Sequence, residues 1–230
     1  MSLTTRPTTV TTTTTTTMTI GRRFRTAAIA ATIAAAVLLS GCAGTGYHYV
    51  KSSENHTYFK VPDSWKLYGQ QELLKRSSLT TDQKQQELAT TWEAAFDGDP
   101  SPSVAHIGSK KPAFPVGIAT VQKLSSDVAD GVSLQVLRNF FVSTFDDAVT
   151  AKTAQVISYD PVNLNGGFRG SHLVAHLARG KVTLTMNQVV VVDQATSKIY
   201  GLLVICTSTC YDTQQAKIEK VVDSWTVKDN

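Results

Sequence analysis

His172 and His176 are four residues apart, the spacing at which two imidazoles on one helix face can chelate zinc. Gly170 precedes them and a Val-rich run follows, which predicts a strand. Four strand residues span roughly 13 Å, too far to share one ion, so the expectation is two solvated strand histidines able to tune a surface between pH 5 and 8. Ser171 beside His172 is the nearest approach to a nucleophile with a base, but adjacent strand residues point to opposite faces and form no relay. Asp97-Gly98-Asp99 opens like a calcium loop without the later acids or the closing Glu, and reads as a helix-ending turn. Asp146-Asp147 falls near the end of a predicted helix, where solvation explains two carboxylates better than acid–base pairing. Neither G-x-S-x-G nor G-x-x-x-x-G-K-[ST] occurs, and Gly166-Gly167-Phe168-Arg169-Gly170 is explained by turn chemistry. No catalytic residue, metal or cofactor is predicted.

The three cysteines differ in context. Cys206 and Cys210 flank Thr207-Ser208-Thr209 at a strand-to-helix junction. A thioredoxin-like pair has two intervening residues in a βαβ setting, and a metal pair needs two further ligands, which Asp212 alone does not supply. Cys42 closes Leu39-Ser40-Gly41-Cys42, after an apolar run from Ala27 to Leu39 and the basic Arg22, Arg23 and Arg25. Basic and apolar regions in that order make an export signal. Thirteen helical residues reach roughly 20 Å, short of a hydrocarbon core of about 30 Å, which disfavours a permanent transmembrane anchor.

The tetrapeptide ending at Cys42 resembles the lipobox of bacterial lipoproteins. The resemblance implies that the Cys42 thiol is acylated and the chain cut before it, so that acyl chains on Cys42 hold the protein at a membrane. Small side chains at Ser40 and Gly41 admit a peptidase, and a thiol supplies the sulfur of a thioether. Export to an oxidising compartment then predicts a disulfide between Cys206 and Cys210, with free thiols as the alternative.

Charge narrows the partners. Arg6, Arg22, Arg23 and Arg25 are the charged residues of positions 1–41, and removing those four from the 22 basic residues leaves 18 against 18 acidic. A neutral body lacks the basic footprint that phosphate neutralisation needs, so nucleic acid is excluded as a partner. Thr4 to Thr19 offers nothing to bury, and Met18 is an alternative start from which the export signal has ordinary length. The organisation expected is therefore a leader over 1–41, a flexible tether over 42–56 and one domain over 57–230.

Within that domain, Thr57 to Val61 and Trp65 to Tyr68 read as two short strands at a bend. Thr80 to Phe96 reads as a helix opened by a Thr80-x-x-Gln83 capping box, with Leu88, Trp92, Ala95 and Phe96 on its stripe. Asp99 to Pro115, with Pro100, Pro102, Pro112 and Pro115, reads as a long exposed loop whose deletion over 101–112 leaves the fold intact and abolishes partner capture. Val116 to Leu124 is a strand. A helix follows that is capped by Ser133, runs through Leu134, Leu137, Phe140, Phe141 and Phe145, and carries a wide apolar face. Four extended runs with short connections between Ala154 and Cys206 predict an antiparallel meander, and a last helix from Asp212 carries Ile218, Val221, Val222 and Trp225.

The sum is an α+β protein, an antiparallel sheet flanked by helices. Phe59-x-Val61-Pro62-x-x-Trp65 and Ile218-x-x-Val221-Val222-x-Ser224-Trp225-x-Val227 resemble the Mog1/PsbP-like fold, and more narrowly the LpqN type of actinobacterial lipoprotein. The resemblance implies an α/β/α sandwich that binds or assembles other molecules without a shared catalytic site, so no functional residue is carried over. The expected function is a non-enzymatic, lipid-anchored module on the outer face of the cytoplasmic membrane, with an unknown protein or small-molecule partner. A cell-envelope hydrolase and a structural surface protein are the alternatives.

Overall fold

Alternating apolar residues build two sheets in the structure, a computed structural model that describes residues 46–228. Cys42 and the leader lie outside the described residues. β1 (Tyr47–Ser52) and β2 (Thr57–Pro62) form a hairpin whose inner residues Val50, Phe59 and Val61 join the core. Residues 47–56, read from the sequence as part of a tether, are thus a strand and a turn. Val50 repays the ordering of β1 by packing on the core.

β3 (Lys66–Gly69), α1 (Gln70–Arg76), α2 (Thr81–Thr90), β4 (Thr91–Asp97) and β5 (Val116–Lys123) follow. The capping box at Thr80 is present, Gln83 N donating to Thr80 Oγ1 and Thr80 N to Gln83 Oε1. The helix nevertheless stops at Thr90, six residues short of the expectation. Leu88 is exposed, whereas Ala94 to Asp97 are buried between β3 and β5, so sheet pairing outweighs a helical stripe with nothing to cover.

The long helix expected after Ser133 is broken as well. After the short α3 (Ser126–Ala129) come α4 (Leu134–Arg138), a turn, and α5 (Phe145–Thr150). Asn139-Phe140-Phe141-Val142-Ser143-Thr144 is six consecutive weak helix formers. The carbonyl of Arg138 is taken by Gln188 Nε2 at 2.8 Å. The turn is clamped by Arg138, which donates to Asp146 through Nε at 2.8 Å and Nη2 at 2.7 Å, while Asn139 donates to the same carboxylate. Asp146 and Asp147 therefore stand in the first turn of α5, where their charge suits the helix dipole, and not near the closing end of a helix.

The meander is present as β6 (Ala154–Leu164), β7 (Phe168–Arg179), β8 (Val182–Val192) and β9 (Lys198–Thr207), and α6 (Ser208–Asp223) leads into β10 (Thr226–Val227), which pairs with β2. The larger sheet is antiparallel throughout, in the order β3-β4-β5-β9-β8-β7-β6. Pro161 sits in the edge strand β6, where a missing N–H costs no ladder bond. One face, with Val189, Val191, Leu202, Val204 and Cys206, meets Ile218, Val221, Val222 and Trp225 of the α6 segment and Phe59 and Val61 of β2. The other carries Leu173, Ala175, Leu177 and Met186 against Phe145, and Val190 and Val192 against Leu137. Helices on both faces make this the α+β sandwich expected from the sequence.

Candidate functional site

α6 begins at Ser208, capped by Thr207, four residues before the expected Asp212. That early start puts Tyr211 over the sheet beside β7 and β8 and opens a cleft of about 500 Å³ between the meander and the helix. His172 and His176 both project into it from β7, with Thr185 and Asn187 from β8 as floor and Asp212, Glu219 and Asp223 from α6 as the far wall.

Both imidazoles are fixed by polar residues that the sequence reading did not single out. The Asn187 side-chain amide donates to the Tyr211 hydroxyl at 2.9 Å, which turns its oxygen toward His172 Nε2 at 2.7 Å, so that nitrogen carries the proton. Ser208 Oγ donates to the Thr183 carbonyl and Thr185 Oγ1 donates to Ser208, leaving the Thr185 oxygen to accept from His176 Nδ1 at 3.0 Å. Each ring thus has one nitrogen bound inward, and the second makes no hydrogen bond within the described residues. Burial pushes the Tyr211 hydroxyl above its usual pKa, with Glu219 adding to the rise, so it stays neutral. Asn187 and Gln188 interrupt a Val-rich strand, and two amides in an apolar run were the available signal.

The other candidates separate. Ser171 is fully buried on the opposite face of β7 from His172, so the two share no site. Among the described residues no group of three His, Cys, Asp or Glu side chains could hold a metal ion. Cys206 and Cys210 are joined as a disulfide with Cα atoms 6.0 Å apart, tying the end of β9 to the first turn of α6.

Asp97 is not in a helix-ending turn. It ends β4 fully buried, its Oδ1 accepting Asp99 N at 2.9 Å and its Oδ2 accepting Ser103 N at 2.8 Å and His106 Nδ1 at 2.7 Å. The Pro-rich segment is therefore pinned to the sheet, and Thr207 N donates to the Pro112 carbonyl at 3.0 Å. Removing 101–112 would strip the buried Asp97 Oδ2 of both its donors and Thr207 N of its acceptor, so the expectation of a fold-neutral deletion is corrected.

No protein-family model matches the sequence, and no curated protein matches it. Among solved structures, the backbone is similar to cyanobacterial PsbP (CyanoP) from Synechocystis, with a TM-score of 0.48, 14% identity, 83% of this chain covered and 99% of that one. It is also similar to LpqN, involved in cell envelope biogenesis of Mycobacterium tuberculosis, with a TM-score of 0.47, 15% identity and coverage of 80% and 91%. The Ran-binding protein Mog1p of Saccharomyces cerevisiae follows with a TM-score of 0.40, 8% identity and coverage of 80% and 96%. The likeness is one of backbone alone.

Proposed function

We propose that this protein is a non-catalytic binding module, held by acyl chains on Cys42 at the outer face of a membrane, whose partner surface is the cleft between β7, β8 and α6. The observation that supports this most is the pair of imidazoles, each oriented by a hydrogen bond to β8 with its other nitrogen unspent, facing a helix wall of carboxylates. Fixed acceptors opposite negative charge suit a protein segment or small ligand with a cationic, hydrogen-bonding group. The hydroxyl that meets an imidazole there, Thr185 Oγ1, accepts from His176 Nδ1 and gives its own proton to Ser208, so that contact orients the ring and does not activate a nucleophile. The Cys206–Cys210 disulfide suits an oxidising compartment.

The test is a photo-crosslinking amino acid at Gln215, on the α6 wall of the cleft, in the full chain expressed in a native host. A discrete membrane-associated adduct is expected from Gln215 and not from Lys84 on the distant α2. No adduct from Gln215, or equal adducts from both, would overturn the reading.

A further inference from the structure

The sheet face opposite the histidine cleft is incompletely covered. α4 packs on β7 and β8 and α5 on β6, while Ile118 of β5, its cross-strand partner Leu203 of β9, and Ile205 of β9 remain half-buried beside a half-buried Phe141. These four line a groove of about 410 Å³, walled on one side by residues 107–110 of the pinned Pro-rich loop. Phe141 is held there because Gly201 has no side chain; a Cβ would stand 2.8 Å from its ring. The volume falls in the range of small-molecule sites, and an apolar floor left open on a soluble domain marks a contact surface.

What distinguishes this groove from an unfilled seam is its charge. Lys110, from the loop, and Arg179, at the β7–β8 turn, both line it, both are exposed, and neither has a carboxylate partner among the described residues. No Asp or Glu lines the groove. An apolar trough served only by cations is complementary to a molecule with an alkyl chain and an anionic head.

We propose that this groove binds a single-chain anionic amphiphile, the alkyl chain lying over Ile118, Leu203 and Ile205 and the anionic head paired with Lys110 and Arg179. The site is separate from the histidine cleft and does not require acylation of Cys42.

The test is isothermal titration of the chain from residue 42 onward, carrying Cys42→Ser, with sodium dodecanoate and sodium octanoate below their micellar concentrations. That chain contains all of the described residues, 46–228. Saturable dodecanoate binding near one equivalent is expected, with octanoate at least tenfold weaker, since each methylene is worth about fourfold when fully buried. The exposed pair K110S/R179S should weaken dodecanoate at least fivefold with an unchanged melting temperature, and Ile118→Gln should weaken it further. Absence of saturable binding would overturn the proposal, as would dodecanoate binding that neither the rim pair nor Ile118→Gln reduces. Because the acyl cysteine is absent from this protein, a negative result leaves the reading of Cys42 to be judged by its own measurement.

Discussion

Replacing Asp97 tests whether the Pro-rich loop is positioned by one buried carboxylate. Its two oxygens take three donors, two of them on Oδ2, and the carboxylate has no exposed surface. Asp97→Ala removes all three bonds, and at about 1–1.5 kcal/mol net for each the loss is about 3–4 kcal/mol, since water can reach part of Asp99 and Ser103. Asp97→Asn keeps a single acceptor oxygen and turns an N–H₂ toward either Asp99 N or the Ser103–His106 pair, so about 1.5–2.5 kcal/mol is expected. His106→Ala loses one bond, about 1 kcal/mol. The assay is urea unfolding followed by tryptophan fluorescence, for which Trp65, stacked on Phe96 with ring centroids 5.6 Å apart beside the loop base, is a local reporter. The double variant D97A/H106A should be no less stable than D97A, a coupling of about 1 kcal/mol. Costs under about 0.5 kcal/mol for both Asp97 variants, or additive losses with His106→Ala, would refute the account of the loop as a structure hung from Asp97.

Trp225 is buried in the core beneath α6, so Trp225→Ala should cost about 3–5 kcal/mol in the same urea assay. The hydrogen bonds from Arg138 hold the Asp146 carboxyl below its usual pKa, so its stabilisation is present above the unfolded value and lost as pH falls through the lower folded one. Asp146→Asn should therefore cost about 1–2 kcal/mol at pH 7, with the gap to wild type closing below about pH 4 in pH-dependent melts. Peptide mapping without reductant should show Cys206 and Cys210 in one linked fragment in protein taken from the envelope. Quantitative thiol labelling of both would contradict the bridge.

The legible parts of the fold were those where one period dominated. β7 alternates cleanly, the turns at Gly166-Gly167 and Arg179-Gly180 separate the meander strands, and Ile218, Val221, Val222 and Trp225 all reach the core. Misreading began where two periods competed. Leu88, Trp92, Ala95 and Phe96 fit a helix stripe, but Ala94 to Asp97 are buried as a strand between two partners distant in sequence, and that pairing cannot be read locally. The break after Arg138 depends on Gln188, fifty residues away, capturing its carbonyl. The histidine cleft was half legible. A strand placed His172 and His176 on one face, while Asn187 and Tyr211, which orient His172, became its neighbours only through sheet register and the early start of α6.

Presentation of the folded unit from a membrane by Cys42 is the central element of the proposed function. Intact-mass analysis of the chain recovered from the membrane fraction of a native host tests this directly. The expected mass is that of residues 42 to 230 plus lipid on Cys42, with Cys42→Ala releasing or mislocalising the protein. A chain that still carries residues 1–41, or one that begins at Cys42 without lipid, would contradict it.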